Sequence, residues 1–225
     1  MRLPLNFRLV SLPARLAVVA SLALLNVSAW AQGTTRYDAQ PGSKVRIEGT
    51  STIHDWTIEG GLIGGFMELD SAVKIDPNQS AITGAVQGKV PAKVSAVIPV
   101  RSLKSGKTSM DNVMQEAMKA KDNPQIKYAL LGLTLKEPHA AGTPFELTAI
   151  GTLTVAGVIR TNSMVVTMSL VAPNKLKTTG TTTLKMTDFG IQPPAPTIGL
   201  GLIKTGDDVK ITFEWLTAVP GEAAK

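Results

Sequence analysis

Phe145-Glu146-Leu147-Thr148-Ala149-Ile150-Gly151-Thr152-Leu153-Thr154-Val155 is the stretch on which the fold turns. Phe145, Leu147, Ala149, Gly151, Leu153 and Val155 share one parity, opposite Glu146, Thr148, Thr152 and Thr154. Successive side chains of a strand point to opposite faces, so this alternation predicts a strand with one buried and one wet face. Antiparallel sheets read this way, whereas parallel strands are covered on both faces and run continuously apolar.

The same period recurs on both sides. Val45 and Ile47 alternate with Lys44, Arg46 and Glu48, and Val94, Ala96, Ile98 and Val100 oppose Lys93, Ser95 and Arg101. Met164, Val166, Met168 and Leu170 form a further face. Leu176, Thr178, Thr182, Leu184 and Met186 face away from Lys177, Thr179, Thr181, Thr183 and Lys185. Val209, Ile211, Phe213 and Trp215 close the series. Turn residues punctuate the runs: Gly60-Gly61, Gly64-Gly65 ahead of a short strand around Phe66 to Leu69, Asp76-Pro77-Asn78, Ala156-Gly157 and Gly206-Asp207. Between Ile126 and Leu135 the apolar parity changes at Leu130-Leu131, which predicts a bulge of one extra residue. About eight strands with short connections predict an up-and-down barrel or a sandwich.

One segment departs from period two. Met110, Val113, Met114, Ala117 and Met118 make one stripe of a helix, with Asp111, Asn112, Gln115, Glu116 and Lys119 on the other side. Thr108 and Asp111 have capping-box spacing, and Asn123-Pro124 is the expected stop, giving a helix of roughly four turns. Such a helix is placed to cover an open end of a barrel.

The chain opens with Arg2, Arg8 and Arg15, an apolar run from Leu16 to Val27, and Ala29-Trp30-Ala31. This is the three-part secretory pattern, with an apolar segment shorter than the roughly 20 residues of a membrane span. The expectation is a signal peptide over 1–31 cleaved after Ala31, a periplasmic destination, an N-terminal extension over 32–42, one barrel domain over 43–217 and a tail over 218–225. Because there is no cysteine, neither a lipoprotein anchor nor a disulfide is expected. Three of the 23 basic residues lie in the leader, leaving 20 against 17 acidic residues interspersed along the chain. That is a solvated surface, with no basic aromatic stripe for nucleic acid.

Catalytic constellations are sparse. Of the two histidines, His139 falls in a Pro-His-Ala-Ala-Gly loop. His54 stands beside Asp55 and after Ser51, but neighbours on a strand point apart, which argues against a hydrolase triad. The alternative for His54 and Trp56 is the barrel interior or rim. No His/Cys cluster suits zinc or iron, and a Cu(I) site on Met110, Met114 and Met118 competes with ordinary methionine packing. Gly199 and Gly201 lack the third glycine and following helix of a phosphate loop. Accordingly no catalytic residue and no metal site is assigned. Of the three tryptophans, two tyrosines and five phenylalanines, Phe7 and Trp30 lie in the leader. A barrel with few bulky fillers and a methionine-lined helix suits a long, flexible, apolar guest.

Several motifs, in order, resemble the YceI-like family: Gly49-Thr50-Ser51-Thr52-Ile53-His54-Asp55-Trp56, then Pro99-Val100-Arg101-Ser102-Leu103 with Ser105-Gly106. Met110-Asp111, the helix and Asn123-Pro124-Gln125-Ile126 follow. Gly151-Thr152-Leu153-Thr154-Val155-Ala156-Gly157 and Met186-Thr187-Asp188-Phe189-Gly190-Ile191 complete the set, which spans about residues 43 to 216. The resemblance implies an all-β, eight-stranded antiparallel, lipocalin-like barrel with the helix near its mouth. It implies a periplasmic protein that is not an enzyme, binds or carries a polyprenyl lipid or quinone and needs no other cofactor. By position, Met110, Val113, Met114, Met118, Phe189 and Ile191 are the implied pocket residues, with His54 and Trp56 in the early motif. Relatives are linked with alkaline or osmotic stress, so contact with the membrane or a membrane cytochrome, and a homodimer, are carried as open expectations. The competing expectations are a ligand-free structural or interaction module and, further off, a hydrolase. The Pro-rich run from Gln192 to Pro196 departs from many relatives.

Overall fold

A computed structural model describes residues 33–76, 78, 82–136, 140–195 and 203–221. Residues 1–31, read from sequence as a signal peptide, lie outside the described residues, as do His139, Gly199, Gly201 and the end of the tail.

Among the described residues, ten antiparallel strands form one sheet. They are β1 (Thr34–Ala39), β2 (Lys44–Ser51), β3 (Trp56–Gly60), β4 (Gly64–Asp70), β5 (Ala92–Pro99), β6 (Gln125–Leu135), β7 (Phe145–Val155), β8 (Val158–Ala172), β9 (Lys175–Lys185) and β10 (Thr205–Ala218). The strands β4 to β10 neighbour one another in the order β4-β5-β6-β7-β8-β9-β10, and β1 pairs with both β4 and β10 to close the ring. Along that edge of β10, Thr217 and Ala218 pair with β1, while Thr205 to Glu214 pair with β2. β1 and β2 therefore act as one interrupted strand, broken at residues 40–43, and β3 and β4 act as its interrupted partner, broken at 61–63. Counted this way the ring is a closed eight-stranded barrel. Residues 32–42, read from sequence as an extension ahead of the barrel, thus contain the strand that closes it.

Interior parity follows the pattern in β7, where Phe145, Leu147, Ala149, Gly151 and Val155 are buried and Glu146 and Ile150 are exposed. The Ala156-Gly157 turn has positive φ at both residues, 50° and 84°, the geometry whose twist matches a two-residue hairpin. The bulge falls where the parity break puts it. Register shifts between Leu130 and Gly132, and the extra residue Leu131 is 66% exposed.

Elsewhere the pattern overreached. Leu170 lies beside a second register shift and is exposed, so the inward face of β8 ends at Met168. Val100 leaves β5 to start a 3-10 turn, Val100–Ser102. Gly206-Asp207 belongs to β10 rather than preceding it.

The helix α1 spans Thr108–Ala117, shorter than expected. Lys119 adopts a left-handed φ of 53°, its N–H donates to Glu116 O, and the Ala120 N–H donates to Gln115 O. These two bonds form a Schellman motif, which ends the helix before Asn123-Pro124 is reached. The capping box is also absent: the N-cap is Lys107, with no side-chain cap. Asp111 instead turns back, is buried, and accepts the Ser105 N–H and hydroxyl, each at 2.7 Å. Among the described residues, no helix is long and apolar enough to cross a membrane.

Candidate functional site

The inward faces of the strands enclose a cavity of about 510 Å³, within the range of roughly 300–1,000 Å³ typical of small-molecule sites. Its wall is overwhelmingly aliphatic: Val45, Ile47, Ile58, Met67, Val94, Ile98, Leu133, Ala149, Val166 and Met168 contribute from most of the strands.

One end is assembled from connections. α1 links β5 to β6, whose Pro99 and Gln125 are paired, and the Val155–Val158 turn and the Ser51–Trp56 turn gather at the same end. The segment after β9 joins them there. Its 3-10 turn, Thr187–Phe189, is held by Asp207, which accepts the Thr187 N–H at 2.9 Å and hydroxyl at 2.6 Å. Those bonds, the hydroxyl first, hold the Asp207 carboxyl below the usual carboxylate range. This end is the mouth.

All eight residues singled out from sequence line the cavity: His54, Trp56, Met110, Val113, Met114, Met118, Phe189 and Ile191. Met114, Met118, Phe189 and Ile191 are buried, whereas His54 sits exposed at the rim. Trp56 is half-buried and donates its indole N–H to Thr50 O at 3.0 Å.

The Ser51-His54-Asp55 group is a turn, not a catalytic triad. Ser51 Oγ donates to His54 O at 2.7 Å and accepts the Ile53 and His54 N–H groups, so its proton is committed to a carbonyl. The His54 ring hydrogen-bonds through Nδ1 to the backbone oxygen of Asp55, at 2.9 Å, and not to its carboxylate. Among the described residues, no three His, Cys, Asp or Glu side chains cluster as metal ligands.

Sequence reasoning missed Tyr128, an inward residue of β6 whose buried hydroxyl has no hydrogen-bond partner among the described residues. Burial pushes its phenol up to about 12. Its parity with Ile126, ahead of the bulge, was the available signal. Thr178 and Trp215 were placed on inward faces, but parity gives no information about hydrogen bonds. Both line the cavity with unpartnered polar atoms.

An antiparallel barrel closed around an apolar cavity, with an amphipathic helix at its mouth, is the lipocalin-like architecture. The chain belongs to the YceI-like family, whose domain model matches residues 37–216. The fold is similar to that of Burkholderia cenocepacia BcnA, with 18% identity, TM-score 0.55, and coverage of 77% of this chain and 95% of that one. It is also similar to a polyisoprenoid binding domain from Saccharophagus degradans, with 12% identity, TM-score 0.59, and coverage of 82% and 98%. No curated protein matches the chain significantly by sequence.

Proposed function

We propose that the protein binds and carries an apolar isoprenoid lipid, a polyprenyl chain or a quinone, inside the barrel and in the periplasm. The observation that carries this reading is the cavity of about 510 Å³, lined by aliphatic strand residues and by Met110, Met114 and Met118 of the mouth helix. Each buried methylene of a guest contributes about 0.8 kcal/mol on leaving water, so a prenyl chain gains affinity along its whole length. Unbranched, polarisable methionine side chains adapt to such a chain without a fixed shape. The Saccharophagus degradans neighbour, a polyisoprenoid binding domain, supports the same ligand class. Export rests on the secretory pattern of residues 1–31. With the Ser51 hydroxyl committed to a backbone carbonyl, the rim lacks an activated nucleophile at the one place where sequence suggested it.

Native mass spectrometry with solvent extraction, on protein purified from the periplasm without detergent, tests this reading. A stoichiometric apolar adduct that solvent releases is the expected result. A clean apo mass, with no uptake of added quinone or polyprenol, would shift the assignment to a ligand-free interaction module.

A further inference from the structure

Trp215 on β10 and Thr178 on β9 stand directly opposite each other and are 4% and 6% exposed. They continue a row that crosses four strands, Phe145–Met168–Thr178–Trp215, at the end of the barrel away from α1. Both side chains line the cavity, and among the described residues neither Trp215 Nε1 nor Thr178 Oγ1 has a hydrogen-bond partner. The contrast with Trp56 is direct, because that indole N–H is satisfied by Thr50 O. An indole N–H only donates, so Trp215 requires an acceptor, and an inward-facing group with no protein partner can find one only in the cavity.

We propose that Trp215 Nε1 and Thr178 Oγ1 form a hydrogen-bonding site, at the closed end of the barrel, for a neutral oxygen acceptor on the guest. The inference rests on the lipid-binding reading above and narrows it to a quinone-like or ketone-bearing lipid bound with its oxygenated end inward. Charge fixes the neutral class. Among the described residues, the lysine and arginine side chains lining the cavity are Lys107, which precedes α1, and Lys185, at the mouth end of β9 and paired with Asp208 at 3.2 Å. His54 lies at the rim. A phosphate carried to Trp215 would be a buried, uncompensated charge, whereas a carbonyl requires only the two donors already there. The apolar tail then runs outward beneath Met110, Met114 and Met118.

The test uses two variants that remove the polar group: Thr178→Val, which keeps the side-chain shape, and Trp215→Phe, which keeps an aromatic ring but a smaller one. The two probes are a benzoquinone with an alkyl tail and the alkylbenzene of the same tail. Binding is read by displacement of a fluorescent apolar dye from the mature protein. Each variant is expected to weaken the quinone about tenfold, ~1.4 kcal/mol, with the alkylbenzene essentially unchanged. Should Trp215→Phe fail to fold, Thr178→Val carries the same comparison. Unchanged quinone affinity in the variants overturns the site and leaves a buried water as the partner of these donors. Equal weakening of both probes also overturns it, since that is a packing effect. A wild-type protein that takes up neither probe, nor any polyprenol, instead removes the lipid-binding reading itself.

Discussion

Tyr128 on β6 lies across the backbone of Gly151 on β7, so that a methyl group added at Gly151 would occupy the space of the tyrosine Cζ and hydroxyl. Gly49 and Trp56 stand in the same relation, and a Cβ on Gly180 would come within 2.8 Å of the Phe213 ring. All three rings line the cavity, and each uses the missing side chain of a neighbouring strand's glycine to lie back against the wall. The glycines therefore open the interior. Gly151→Ala is expected to destabilise the fold by about 1–3 kcal/mol, as overpacked cores do, and to push Tyr128 into the cavity. Thermal unfolding and quinone uptake should both fall. Undiminished uptake in a folded Gly151→Ala protein would show that Tyr128 does not border the guest.

Met114 is 9% exposed and faces the cavity from α1. Met114→Lys places an ammonium against hydrocarbon, at a cost of several kcal/mol unless the side chain finds a partner or swings out. Met114→Leu keeps the apolar surface. Lipid-to-protein stoichiometry by native mass spectrometry should drop sharply for the lysine variant and hold for the leucine variant. Normal loading of a folded lysine variant would exclude α1 as the cover of the occupied cavity.

How far the sequence reached depends on which part of the structure is local. Alternation in Phe145–Val155 is a property of one strand, and so is the extra residue at Leu131; both are readable without a partner. The eight residues assigned to the pocket followed from strand parity, helical spacing and family motifs, and the structure gathers them around one cavity. Closure was illegible because Thr34–Ala39 carries no clean alternation, with Tyr37, Asp38 and Ala39 all half-buried, and its role comes from pairing with β4 and β10. The helix end was misjudged because Lys119, a residue without glycine's freedom, takes the left-handed position. The stacking of Tyr128 on Gly151 needs the β6–β7 register, which lies beyond any single-strand pattern.

Asp111 fastens the turn at Ser105 to α1 and Asp207 fastens Thr187 to β10, and both carboxylates are held below their ordinary range. For Asp111 the causes are the Ser105 N–H, then the Ser105 hydroxyl, and more weakly Lys104; for Asp207 the Thr187 hydroxyl leads. A depressed folded value means the stabilisation is present above the unfolded value of about 3.9 and is lost as pH falls through the folded one. The difference in melting temperature between wild type and an Asp111→Asn/Asp207→Asn double variant should be largest near neutrality and shrink below about pH 4. A gap that persists undiminished in acid would assign the loss to packing rather than ionisation.

Tyr128 makes the opposite prediction at high pH. Its phenol is pushed up to about 12 by burial, and Tyr37 is raised by the same cause. In the unfolded chain both ionise near 10, so the stability they contribute is complete below that value and disappears as pH climbs toward 12. Tyr37 and Tyr128 are the only tyrosines, so absorbance of the phenolate in the folded protein should lag free tyrosine, with its later part missing in Tyr128→Phe. A bound quinone-like guest that shields or hydrogen-bonds the Tyr128 hydroxyl should delay that part further. If the titration of Tyr128 is the same in loaded and empty protein, the guest does not reach the middle of the barrel wall.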